Sequence, residues 1–192
     1  MLASNEQKYP WMDEGFTQFA EEEALNFLLN EGRINPHAVA VPTYLSHILV
    51  DNSEPMSTGA DHFRTNRNQT VSSYYKGELF LMQLQYIVGD DAFWRGMQMY
   101  FNRWAFKHPK PEDFLKVMED ASGMQLDWFL NGWTQTNKLA DYAVGEVLQA
   151  GPSGTNIQLK NVGERPMPVD VKITLMDGSS YFYTIPLVSM YG

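Results

Sequence analysis

Over the first two thirds of the chain the apolar residues keep a helical rhythm, interrupted wherever Gly, Pro or a run of small polar residues intervenes. Residues 11–30 place Phe16, Phe19, Ala20, Ala24, Leu25, Phe27, Leu28 and Leu29 around most of a helical wheel. That density predicts a helix buried on nearly every side, capped by Asp13 and stopped at Gly32. A second helical stretch covers residues 38–50. Residues 51–69 then lose the period in a run of Asn, Ser, Thr, Asp and Gly, which predicts a long loop. Structureless loops above roughly 12–15 residues in a compact domain tend to be functional or mobile.

Helical spacing returns over residues 71–88, closed by Gly89, and again to Trp104 behind Asp90 or Asp91 as cap, with Phe93, Trp94, Met97, Tyr100 and Phe101 on the apolar face. These two helices should form a hairpin. Pro109 and Pro111 break the chain, Glu112 and Asp113 supply first-turn acids, and Phe114, Leu115, Val117 and Met118 carry a further helix to Gly123. A last helix spans residues 126–133 around Trp128, Phe129 and Leu130.

After Asn137 the period changes to two. Residues 142–148, 157–160, 169–175 and 181–185 read as short strands, joined by turns at Gly151-Pro152-Ser153-Gly154 and Asp177-Gly178. The expected fold is a mainly α multi-helix domain over residues 1–137, followed by a small, incomplete antiparallel β segment over residues 138–192. So few strands leave unpaired sheet edges, which points to truncation of a β-sandwich-like domain.

Composition narrows the class. Hydrophobic residues make up 44% and aromatics 14%, a globular profile. The net charge of −9 comes with no Lys/Arg stripe, which argues against a nucleic-acid partner. The absence of cysteine rules out disulfides, thiolate metal ligands and a cysteine nucleophile. No apolar run is long enough for a transmembrane segment, and the first residues lack the pattern of a signal peptide. Compartment stays open, and a periplasmic or secreted parent protein is compatible with a cysteine-free chain.

The densest chemical signal is Trp11-Met12-Asp13-Glu14-Gly15-Phe16, continuing to Glu21. Positions seven apart on a helix differ by about 20° around the axis, so Glu14 and Glu21 share a face with Leu25 and Leu28. A carboxylate buried there needs a partner or a metal. The alternative is that Glu14 and residues 21–23 are surface acids favoured near a helix N-terminus.

Glu14-Gly15-Phe16-Thr17, with Trp11 before it and Glu21 after it, resembles the segment of the M1 zinc aminopeptidase family that follows its His-Glu-x-x-His helix. Tyr74-Tyr75-Lys76-Gly77 resembles the family's Tyr-x-Lys-Gly element. Lys107-His108-Pro109 with Asp113-Phe114, and Leu126-Asp127-Trp128-Phe129 through Trp133, are similar to scaffold stretches in the same order. The resemblance implies half of a gluzincin, thermolysin-like catalytic domain. It implies Glu14 as a zinc ligand, Glu21 as the acid that orients a ligand, and Tyr74 as the phenol that donates to the oxyanion of the tetrahedral intermediate. Tyr75, Asp61 and His62 are candidates for the substrate pocket, and His108 beside prolines reads as structural.

A catalytic zinc needs three protein ligands and an open position. The family draws two from His-Glu-x-x-His, whose Glu is also the general base. The four histidines here, His37, His47, His62 and His108, are isolated, and the motif would end just upstream of Met1. The expectation is therefore an excised piece of a longer enzyme that removes N-terminal residues from peptides. Alone it should be inactive and should not bind zinc tightly. Its partners would be a peptide substrate and the missing N-terminal part of the same protein, with dimerisation through exposed docking faces as a further possibility. Two rival readings are a family relative acting on another amide or epoxide, and a degenerate, non-catalytic helical interaction module.

Overall fold

Proline at the first helical position starts α1 (Pro10–Leu28), where its fixed φ suits the helix and its missing N–H would be unpaired anyway. The computed structural model describes residues 2–50, 53–149, 151 and 154–190. Tyr9 occupies the cap position, so Asp13 lies in the first turn and does not cap. Nor does Gly32 stop the helix. The Asn26 amide donates to the Arg33 carbonyl at 3.1 Å and accepts from its N–H at 2.9 Å, which draws the chain away once Leu28 is passed.

The expectation of a helix buried all round also fails. Every buried residue of α1 lies between Pro10 and Phe19. Beyond them Phe27 is 84% and Leu28 73% exposed, because α1 outruns the elements that pack on its first half. α2 (Ala40–Ile48) follows, burying Ala40, Tyr44 and His47.

The loop before the next helix is shorter than expected and tied down; Asp51 and Asn52 lie outside the described residues. The buried Glu54 carboxylate accepts from the Arg64 N–H at 3.1 Å and from the Asn68 amide. Ser57 N–H donates to the Thr134 carbonyl at 2.9 Å, and Met56 is fully buried. The Thr65 hydroxyl then accepts from the Asn68 N–H at 3.1 Å, so α3 (Asn66–Thr70) begins inside the stretch expected to be loop. α3 runs through a π-helical turn (Val71–Tyr75) into α4 (Lys76–Val88), all with helical backbone angles at the junctions.

Gly89, at φ 81°, ends α4 and stands at the cap position of α5 (Asp90–Trp104), which leaves Asp90 and Asp91 in the first turn. α6 (Pro111–Ser122) is closed at its start by the Asp113 carboxylate, which accepts from the Lys110 N–H at 2.9 Å. α7 (Asp127–Thr134) completes the helical unit, Met1–Asn137. Its core is aromatic. Trp11 meets Phe80 at 5.0 Å, Phe16 meets Phe114 at 4.9 Å and Phe80 meets Phe129 at 4.9 Å, joining α1, α4, α6 and α7. His108 joins this frame by donating to the Ala3 carbonyl at 2.9 Å.

The second unit, Lys138–Gly192, holds two antiparallel pairs: β1 (Tyr142–Gln149) with β2 (Thr155–Asn161), and β3 (Val169–Thr174) with β4 (Ser180–Ile185). Asp177-Gly178 turns the second pair, with Gly178 at φ 86° and the Asp177 carboxylate accepting from the Ser179 N–H. Pro152 and Ser153 of the other expected turn lie outside the described residues. Helices first and small antiparallel sheets after is the expected architecture. Among the described residues no helix is long and apolar enough to cross a membrane.

Candidate functional site

Two glycines decide where the first helix meets the fourth. A Cβ added at Gly15 would stand 2.7 Å from the Gly77 Cα and 3.0 Å from the Ser73 carbonyl oxygen; one added at Gly77 would stand 2.8 Å from the Gly15 Cα. Only residues without side chains allow backbones this close. The contact brings together the residues beside each glycine. Glu14, half-buried on α1, faces the Tyr74 hydroxyl in the π turn.

Hydrogen bonding to Glu14, then burial, then the charges of Glu14 and Asp13, push the Tyr74 phenol up to about 12. Its proton is therefore retained near neutrality, and the group is a neutral O–H donor. π-helical turns occur often at functional sites because the wider turn redirects a side chain. Lys76, one residue past the turn, is buried and donates to the Thr136 carbonyl at 3.1 Å, holding the end of the helical unit against the start of α4.

The other candidates fall elsewhere. Tyr75, half-buried, is the neighbour of Tyr74 in the π turn, where successive residues point to different sides of the helix. Glu21 is exposed two turns along α1, against the expectation that its face hides it from water. Asp61 and His62 are exposed in a 3₁₀ turn (Ala60–His62) and line an open depression with Gln7, Lys8 and Ser57, whose walls do not include Glu14 or Tyr74.

A buried cluster escaped the sequence. His37, 4% exposed, has Nδ1 at 2.8 Å from the Glu78 carboxylate and Nε2 at 3.0 Å from that of Glu23. Burial acts to lower its pKa, but the hydrogen bonds and charges of Glu78 and Glu23 outweigh it and hold the imidazole above its ordinary value. Partners 41 and 14 positions away leave no local signal to read.

Among the described residues no group of three or more His, Cys, Asp or Glu is placed to hold a metal ion. A zinc site takes three protein ligands. Glu14 offers a carboxylate of the kind such a site uses, and the described residues do not complete a set of three around it.

Residues 6–133 match the Peptidase family M1 domain. The chain is 39% identical over 64 residues to aminopeptidase N of Streptomyces lividans, covering 33% of this chain and 8% of that protein. It is 24% identical over 128 residues to human glutamyl aminopeptidase, covering 65% of this chain and 13% of that protein. The structure resembles an M1 zinc metallopeptidase from Deinococcus radiodurans with a TM-score of 0.55 at 22% identity, over 72% of this chain and 30% of that one. It resembles Legionella pneumophila aminopeptidase A, in complex with aspartic acid, with a TM-score of 0.65 at 16% identity, over 95% of this chain and 21% of that one. The chain thus spans a minor part of the length of each relative it matches.

Proposed function

This chain belongs to the M1 peptidase family, and from that premise we propose that it contributes one part of the site of a zinc aminopeptidase, acting on peptides with a free N-terminus. The observation that carries the reading is the Glu14 carboxylate set against the Tyr74 hydroxyl by the Gly15–Gly77 contact. In this reading Glu14 is one zinc ligand, and the exposed Glu21 orients a ligand from a neighbouring segment. Zinc, when bound, acts as a Lewis acid and activates water.

Tyr74 has a separate task. Its O–H, turned toward Glu14 in the structure, swings to donate to the oxygen on which negative charge develops as a peptide carbonyl is attacked. The remaining ligands and the general base are supplied from outside these residues, so the chain alone cleaves no peptide. Support for that division comes from the spacing of His37, His47, His62 and His108, none of which has another histidine four residues away.

The test joins this chain to a polypeptide carrying a His-Glu-x-x-His segment. Tyr74→Phe should lower kcat by about 10²-fold or more with zinc content intact, and an unchanged kcat would remove Tyr74 from the mechanism. Glu14→Gln should lower zinc content as well as turnover. A second reading, a non-catalytic helical interaction module, draws on the exposed Phe27, Leu28, Ile34 and Leu49. It is favoured if the joined polypeptide binds zinc no better than this chain alone.

A further inference from the structure

The backbone contact at Gly15 and Gly77 sets how near α1 and α4 lie, and Trp11 packs on Phe80 beside it. A second tie lies eight residues further along α1, about 12 Å at 1.5 Å per residue. There Glu23 of α1 and Glu78 of α4, the neighbour of Gly77, grip the two nitrogens of His37 from opposite sides at 3.0 and 2.8 Å.

Ionised carboxylates only accept hydrogen bonds, and a neutral imidazole has a single N–H. With both carboxylates ionised, the two bonds require the imidazolium. Its ring stacks on Phe19 of α1 at 4.5 Å and 12°, a face that favours a cation. The segment that carries His37 is itself pinned. Asn26 holds the Arg33 backbone at both its N–H and its carbonyl, and the Asn35 side chain accepts from the His37 N–H at 3.0 Å. The charged groups facing the ring are Glu23 from α1 and Glu78 from α4, while Arg33 of the same segment is paired with Glu22 and Glu31.

We propose that His37 is a positioning residue, whose cation ties α1 to α4 beyond the Gly15–Gly77 contact and holds the approach of the two helices that sets Glu14 against Tyr74. Its consequence for turnover rests on the proposed function. A swing of about 10° moves a side chain that reaches 5–6 Å from the helix axis by roughly 1 Å, and misplacement on that scale can cost about 10²-fold in rate.

Two measurements test the clamp. In the 192-residue chain, the His37 ring protons followed by NMR should titrate above the ordinary value of about 6.5, and Glu78→Gln or the milder Glu23→Gln should lower that midpoint. A midpoint at or below 6.5, unmoved by either substitution, overturns the proposal. In the joined polypeptide, His37→Gln should reduce kcat by at least about tenfold at unchanged KM. His37→Lys, which keeps a cation between the carboxylates, should recover most of the loss and remove the decline in kcat as pH rises through the histidine's titration. Equal losses in the two variants would mean that shape alone matters and would overturn the proposal. A joined polypeptide that holds zinc but cleaves no peptide refutes the proposed function, and the ring titration still decides the clamp.

Discussion

Replacing Gly15 by alanine tests the close approach on which the candidate site depends. The added Cβ would sit 2.7 and 2.9 Å from the Gly77 Cα and carbonyl carbon and 3.0 Å from the Ser73 oxygen. Carbon atoms pack at about 3.5–4.0 Å, so α1 and α4 must part by roughly 1 Å, and all three obstructing atoms are backbone that no rotamer change can move aside. Overpacking of this kind costs about 1–3 kcal/mol, here at the upper end, against a gain of about 1 kcal/mol from replacing glycine in a helix interior. The net expectation is a loss of about 2 kcal/mol. Gly132, inside α7, is the control: a Cβ there meets nothing within 4 Å, so alanine should stabilise by about 0.4–1 kcal/mol. Urea unfolding followed by tryptophan fluorescence measures both. If the two substitutions move the midpoint equally and in the same direction, the helices do not touch at Gly15. In a polypeptide that cleaves peptides, the Gly15 substitution should also lower kcat, since it separates Glu14 from Tyr74.

Other substitutions probe the surroundings. Gly96→Ala meets first the Sδ and Cε of Met118 and then the Ala121 Cβ; because the nearest obstruction is the end of a flexible side chain, its cost should stay within about 1 kcal/mol, and a loss as large as that at Gly15 would contradict this distinction. Glu54→Ala strips the Arg64 N–H and the Asn68 amide of their acceptor and should cost about 1–3 kcal/mol, with faster hydrogen exchange at Arg64; unchanged protection there would show that the loop is held by other means. The raised pKa of His37 gives a signed pH dependence: its stabilisation is present in full below the unfolded value of about 6.5 and is lost as pH rises through the higher folded value. Unfolding midpoints across that range should fall more steeply in the parent chain than in His37→Gln, and parallel curves would refute the pairing.

Element type was legible along the chain because helical and strand periods are local properties. The helix over Lys76–Val88, the stops at Gly89 and Gly123, and the four strands after Asn137 follow from patterns a few residues long. The motifs around Glu14 and Tyr74 were legible too, as a resemblance. Their juxtaposition was not. It depends on two glycines 62 positions apart meeting at less than 3 Å between a built Cβ and a backbone atom, and nothing in either motif states that they touch. Exposure misled for a related reason. The wheel around Leu25 and Leu28 counts apolar residues, whereas burial depends on which elements reach them, and those elements pack on the first half of α1. The π turn that carries Tyr74, the anchoring of the loop through Glu54, and the clamp at His37 are likewise set by tertiary structure: each depends on hydrogen bonds or backbone contacts between segments whose separation in sequence hides their proximity in space.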